Sequence, residues 1–412
     1  MNRLTKIIQN SPPGTGTERA DRLERMTPSA IRDIHELGVQ LRLRHPERTL
    51  RALHVGEGNL GTPEFIVEAG VRALRAGAVF YEANRGRPDL TGELAAHYQR
   101  LYGVPLTPEH FVVSSGGVQA ILLTMLGLLA PGDQVINITP AWPNFREAAL
   151  IAGGEVHDLA LRFDATRHRF TLDLPSLEAL AATLPTLRMV VVNSPSNPTG
   201  CVLETSEKRA LLEFCHRRGL VLLADEMYDR LVYREPAPPS FLQLWREERL
   251  VVINGFSKAY AMTGWRLGYL ITAPALATRL AQMQEFVTSC APAMLQVAAV
   301  TALRDGEAYV TESRRRYQGL RDLTLTRLRS LPGATVAMPE GAFYAFFRLP
   351  GSEDSVAFCK TLVEHTGVML APGRAFGGGG EGWLRLCFAK DAEVLEGAFL
   401  ALAEFMKHTG KG

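Results

Sequence analysis

Lysine is scarce in this chain: seven in 412 residues, at positions 6, 208, 258, 360, 390, 407 and 411. A strongly charged surface is missing too. The formal net charge is +2 with acids and bases interspersed, which argues against nucleic acid and membrane surfaces as partners. There is no long apolar run. The longest, Ala120 to Ala130, is interrupted by Thr124 and Gly127 and is too short to span a bilayer. Residues 1–20 lack an apolar signal core and carry Pro12-Pro13-Gly14, so they read as a flexible tail on a cytoplasmic protein. The five cysteines are scattered, odd in number and without metal-like spacing, which suits buried free thiols in a reducing compartment and leaves no metal site to expect.

With 46% apolar and 21% charged residues, the chain has the composition of a soluble globular enzyme, and its length allows two or three domains. A helical pattern runs from Ser29 to Leu43. Short continuous apolar runs follow, each succeeded by a turn and a helical stretch: Phe111–Val113, Gln134–Ile138, Met189–Val192, Leu220–Ala224 and Leu250–Ile253. That alternation predicts a mainly parallel sheet covered on both faces, an α/β three-layer domain. Polar residues follow directly at the strand ends: Ser114-Ser115, Thr139, Asn193, Asp225 and Asn254. Open parallel sheets bind ligands at that edge. After about Asp305 a long charged helix, Tyr309 to Ser330, leads into strands near Val336, Ala342–Phe347 and Trp383–Phe388, a smaller α+β domain. The Arg314-Arg315-Arg316 triplet on that helix reads as a solvated face.

Gly56-Glu57-Gly58-Asn59-Leu60-Gly61 matches GxGxxG, but Thr62-Pro63 looks like an N-cap and first helical residue, so the helix would start after the glycines rather than within them. Dinucleotide binding is rejected on that ground. The glycines instead suit close backbone approach to a small ligand. The run Gly377–Gly380 opens no helix and reads as a loop, not a phosphate cradle.

Lys258 carries the chemistry. It follows the apolar run Val251–Phe256 and precedes small residues and Arg266. A desolvated lysine near another cation has a depressed pKa and attacks carbonyls. Asp225 follows Leu222-Leu223-Ala224, where a carboxylate is costly unless it meets a cation. Asn193-Ser194-Pro195-Ser196-Asn197-Pro198-Thr199-Gly200 is a rigid loop holding Asn197 at the sheet edge. Ser115-Gly116-Gly117-Val118 joins a strand to a helix near Gln119, a backbone anion site.

In order and company, Asn-Pro-Thr-Gly, Asp-x-x-Tyr and Ser-Lys-(x)7-Arg resemble fold type I pyridoxal 5'-phosphate (PLP) enzymes of the aspartate aminotransferase superfamily, closest to the bacterial branch. The resemblance runs from about Ser29 to the C-terminus. It implies a large PLP-binding domain over 62–305 and a discontinuous small domain formed by 21–61 with 306–412. It implies that Lys258 is the Schiff-base lysine and general acid/base of a ping-pong transamination between an L-amino acid and a 2-oxo acid. Asp225 would pair with the pyridine nitrogen, Tyr228 and Asn197 with the ring hydroxyl, and Trp142 would stack on the ring. Gly116, Gly117, Val118, Ser257 and Arg266 would hold the phosphate. Arg385, with Asn197 and the Gly56 backbone, would hold the substrate α-carboxylate. Tyr81 would reach the phosphate of a neighbouring subunit, implying a homodimer with shared active sites.

The chain departs from the pattern at Val118, where many members carry a hydroxyl or lysine, and at Gly255, where they carry serine or threonine. Ser115 is a candidate substitute. Arg85, Arg87 and Arg374 are candidates for a distal substrate carboxylate, and Phe145, Tyr344 and Phe376 for an apolar pocket. The resemblance leaves open a lyase or oxidase reaction on the same scaffold. A PLP-binding regulator would need an N-terminal winged helix, for which about thirty residues are too few.

Overall fold

The computed structural model describes residues 24–234, 239–244 and 249–408. Residues 1–20, read as a tail, lie outside the described residues.

The central sheet has seven strands: β1 (Phe111–Ser114), β2 (Gln134–Thr139), β3 (Glu155–Ala160), β4 (Leu187–Asn193), β5 (Val221–Asp225), β6 (Leu250–Gly255) and β7 (Gly268–Ile271). Their spatial order is β1-β7-β6-β5-β4-β2-β3. β3-β2-β4-β5-β6 pair in parallel, whereas β7 runs antiparallel between β6 and β1. The parallel strands β5 and β6 are buried at every residue. Both faces therefore need apolar side chains, which is why these segments read as unbroken apolar runs rather than alternating ones. Two apolar clusters line the two faces. Val190, Val192, Leu222 and Val252 face one, and Met189, Val191, Leu223 and Val251 face the other, as the two-residue strand period requires.

A second, antiparallel sheet follows: β8 (Thr335–Val336), β9 (Tyr344–Arg348), β10 (Ala371–Pro372) and β11 (Leu384–Cys387), in the order β8-β9-β11-β10. It has its own apolar cluster, built around Phe343, Phe347, Leu362, Leu386 and Phe399. The charged helix is Glu307–Arg329. The helix Ala30–Arg44 contributes Ile34 to that cluster, and Arg51-Ala52 pairs in parallel with Val368-Met369. The N-terminal segment thus folds back onto the C-terminal sheet and brings His54 to Gly56 with it.

One local expectation is corrected. Thr62 does not cap the following helix, which spans Glu64–Arg75 with Pro63 at the cap position. The Thr62 hydroxyl instead donates to the Ala261 carbonyl at 2.8 Å, tying this turn to the segment after Lys258. The helix still begins after the glycines, and Gly377–Gly380 leads into β11, not into a helix.

Candidate active site

Asn193 and Asp225 close β4 and β5, and Ser257 and Lys258 follow β6 by two and three residues. All four line one cavity of about 620 Å³ between the sheet edge and the C-terminal part, within the usual size range of small-molecule sites. Thr139 and Asn254 occupy equivalent strand ends without lining it. The Asn254 side chain donates to the Tyr98 hydroxyl at 3.2 Å instead.

Lys258 Nζ donates to the Gly56 carbonyl at 2.7 Å and sits 5.9 Å and 5.6 Å from the Tyr228 and Phe343 ring centroids. Burial pulls its pKa down to about 8, and the neighbouring Arg385 and Arg266 push the same way. Asp225 is buried and accepts the Met227 backbone N–H at 2.9 Å. No cation ion-pairs with it among the described residues, and burial raises its pKa to about 7. Asn193 links the strand ends by donating to the Asp225 carbonyl at 3.0 Å while its Oδ1 accepts the Asn197 N–H at 2.7 Å. Asn197 is thereby locked where its own Oδ1 accepts from Arg385 Nη1 at 2.9 Å.

Arg385 comes from β11 and is 2% exposed, yet no carboxylate ion-pairs with it among the described residues. Its guanidinium lies over the Tyr344 and Phe376 rings, 4.6 Å and 5.0 Å from their centroids. Its Nη2 donates to the His54 carbonyl, and its Nε has no partner among the described residues. Tyr344 lines the cavity and meets Tyr228 hydroxyl to hydroxyl at 2.6 Å.

Gly117 and Val118 open the helix Gly117–Leu128, whose N-terminus lines the cavity together with Arg266. Gly116 has φ +86°, and a Cβ there would collide with the Arg266 guanidinium. Arg266 itself sits at φ +53°, an uncommon conformation for arginine. Gly255 stands where the family resemblance leads one to expect a serine or threonine hydroxyl. A Cβ at Gly255 would lie 2.9 Å from Gly268 Cα and 3.0 Å from the Leu267 carbonyl oxygen, while one at Gly268 would lie 2.7 Å from the Gly117 nitrogen. The tight β6–β7 pairing against the Gly116-Gly117 turn leaves no room for that side chain.

Of the expected residues, Gly56, Trp142, Asn197, Asp225, Tyr228 and Arg385 line the cavity, as do Gly117, Val118, Ser257, Lys258 and Arg266. Gly116 lies behind Arg266. Tyr81 is 89% exposed and does not line the cavity of this chain. Ser115 does not line it either, its N–H being taken by the Gln119 side chain. Phe145 and Phe376 are core residues, 1% exposed, whereas Tyr344 is a wall of the site. His54, Arg32 and Ser29 also line the cavity, and nothing in their local sequence marks them.

A family model described as Aminotransferase class I and II matches residues 52–402. An aspartate aminotransferase of Thermotoga maritima is 35% identical over 86% of this chain and 90% of its own length. Aromatic-amino-acid aminotransferase 2 of Thermococcus litoralis is 31% identical over 94% of this chain and 98% of its own. The solved aspartate aminotransferase of Thermus thermophilus with maleate superposes with a TM-score of 0.85 at 32% identity, covering 93% of this chain and 98% of that one. The fold is that of the fold type I PLP-dependent transferases. The chain belongs to the class I and II aminotransferases and is an enzyme that transfers amino groups with PLP as its cofactor.

The cavity fits that cofactor. A glycine turn, a helix N-terminus and Arg266 form an anion cradle, and a Cβ at Gly116 would push the Arg266 guanidinium out of its place in it. Asp225 is a buried carboxylate lacking a cationic partner, and Lys258 is a buried amine of lowered pKa in the same wall.

Proposed function

We propose that Lys258 is the catalytic base and Schiff-base lysine of a ping-pong transamination between an α-amino acid and a 2-oxo acid. When bound, the cofactor supplies an electron sink for the bond broken at the α-carbon. The rest falls to the chain. Asp225 holds a proton on the pyridine nitrogen, and Tyr228 and Asn197 donate to the ring oxygen. Trp142 covers the ring. The backbone at Gly116, Gly117 and Val118, with Ser257 and Arg266, holds the phosphate. Lys258, its ammonium destabilised by burial so that its pKa falls to about 8, has a far larger amine fraction near neutral pH than an ordinary lysine, and that amine takes the α-proton and returns it.

Arg385 carries the substrate side of this reading. A buried guanidinium without an acidic partner, shelved over two aromatic rings in the wall that holds Lys258, is a prepared α-carboxylate site. Gly56 is needed beside it, because a Cβ there would overlap the Tyr344 hydroxyl.

The same reading takes 62–305 as the cofactor-binding domain and 21–61 with 306–412 as the small domain. It places the enzyme in the cytoplasm as a homodimer. Val79, Phe80 and Tyr81 are exposed, as are Phe286 and Val287, and the Glu82 N–H bonds to Cys290 Sγ, which joins the two segments that carry them. This apolar patch supports pairing with a second copy, which would take Tyr81 to the partner's phosphate site. A panel of amino donors against 2-oxoglutarate, pyruvate and oxaloacetate tests the activity. Parallel double-reciprocal plots are expected. Release of ammonia in place of a new amino acid would overturn it.

A further inference from the structure

The run Gly377–Gly380 opens no helix, and its backbone lies instead against the C-terminal ends of β2 and the edge strand β3. A Cβ at Gly377 would sit 2.7 Å from Asp158 Oδ2 and 3.0 Å from Thr139 Cγ2, and one at Gly379 would sit 2.9 Å from Ala160 Cβ. Thr139 and Ala160 are register partners, as Asn137 and Asp158 are, so the loop presses on one face of the sheet edge.

One side chain fastens it there. Asp158 Oδ2 accepts the Gly378 N–H at 2.7 Å, while its Oδ1 accepts Asn137 Nδ2 at 3.3 Å. Thr139 Oγ1, 3.5 Å from where a Gly378 Cβ would lie, has no partner among the described residues. Four successive glycines leave a backbone with wide conformational freedom, so a charge-assisted hydrogen bond at its middle selects one arrangement.

Both ends of the loop reach the active site. Phe376, just before it, places its ring 5.0 Å from the Arg385 guanidinium. The Phe376 carbonyl accepts the Ala141 N–H at 2.9 Å, next to Trp142, which lines the cavity. At the other end the Trp383 N–H donates to the Gly380 carbonyl at 3.1 Å, and Trp383 precedes Arg385 by two residues.

We propose that Asp158 is a positioning residue for substrate binding, a role that rests on the reading of Arg385 as the α-carboxylate site. Asp158 does not line the cavity. It acts through Gly378: with the loop fastened, the Phe376 ring stays under Arg385 and the Phe376 carbonyl stays at Ala141, which keeps the carboxylate anchor in line with Trp142. A shift of an ångström at such an anchor is enough to cost substrate binding.

The test uses the holoenzyme in its PLP form. Calorimetry measures binding of 2-oxoglutarate and of pyruvate, which carry the carboxylate but no amine to react, beside steady-state kinetics. Asp158→Ala should weaken binding and raise KM roughly 5- to 30-fold with kcat within about threefold, the low end for a hydrogen bond to a charged group because Asp158 is exposed. Asp158→Asn keeps an oxygen for the Gly378 N–H and should recover most of the loss. Gly377→Ala, which drives a Cβ into Asp158, should reproduce the defect from the loop side. Asp158→Ala added to Phe376→Leu should cost little more than Phe376→Leu alone, since both act through that ring. Unchanged binding and KM in Asp158→Ala overturn the proposal, as do an equal loss in Asp158→Asn, a loss confined to kcat, or full additivity with Phe376→Leu. An Arg385→Lys variant that binds both acids as tightly as wild type, or a wild type that binds neither, refutes the carboxylate anchor itself and this role with it.

Discussion

Arg385 donates Nη1 to Asn197 Oδ1 at 2.9 Å, so the proposed carboxylate anchor from the C-terminal sheet is held by a loop of the central sheet. Asn197 is itself fixed by Asn193, which also holds the end of β5 at Asp225. Asn197→Ala should therefore loosen the guanidinium without unfolding the strand ends. The expected outcome is a KM for the amino donor raised roughly 10- to 100-fold, the size of one hydrogen bond to a charged group. Steady-state kinetics check it, and an unchanged KM would mean that Arg385 is oriented by its aromatic shelf and the His54 carbonyl alone.

Lys258→Ala removes the amine that donates to the Gly56 carbonyl. Turnover should fall on the order of 10²–10⁴-fold or more, the usual worth of a positioned general acid/base. Borohydride reduction followed by mass spectrometry should trap cofactor on the wild-type chain and not on the variant. Near-normal kcat would remove Lys258 from the chemistry.

The strands that place this lysine were legible because parallel strands buried on both faces leave unbroken apolar runs. β3 escaped because its edge position leaves several of Glu155–Ala160 partly or fully exposed, which breaks the apolar pattern. β7 escaped because it is four residues long and follows Arg266 almost at once. Lys258, Asp225 and Asn197 stood out as polar groups ending apolar runs or fixed by proline. Arg32 and His54 did not. Arg32 looks like any surface arginine until the Arg51–Val368 pairing folds the N-terminal segment over the cavity. Ser115, the candidate substitute for the missing side-chain contacts to phosphate, does not line the cavity.

Gly255→Ser tests whether the missing hydroxyl is imposed by packing. The added side chain meets Gly268 Cα and the Leu267 carbonyl across the β6–β7 pairing. Overpacking of this kind costs about 1–3 kcal/mol. The urea midpoint should drop, and cofactor affinity should fall rather than rise, because the displaced strand presses on Gly116 and Gly117. A variant that binds PLP more tightly at unchanged stability would show that the strand gives way.

Asp225 and Lys258, both buried, each add a slope of opposite sign to the pH dependence of the cofactor-free protein's stability. Asp225 has a pKa of about 7 in the fold, against about 3.9 in an unfolded chain. Between those values the native state keeps a proton that the unfolded state has lost, so this group's contribution to stability falls as pH rises from about 4 to about 7. Lys258 has a pKa of about 8 in the fold, against about 10.4 unfolded. Here the unfolded state holds the extra proton, so this group's contribution to stability rises with pH from about 8 to about 10. The two effects place a stability minimum from this pair between about pH 7 and pH 8. Asp225→Asn should remove the acid-side slope and Lys258→Met the alkaline one, each read from urea midpoints across the pH range. A difference between wild type and Asp225→Asn that stays constant from pH 4 to pH 7 would mean that the carboxyl is hydrated or paired, and would take away the argument that it awaits a cation.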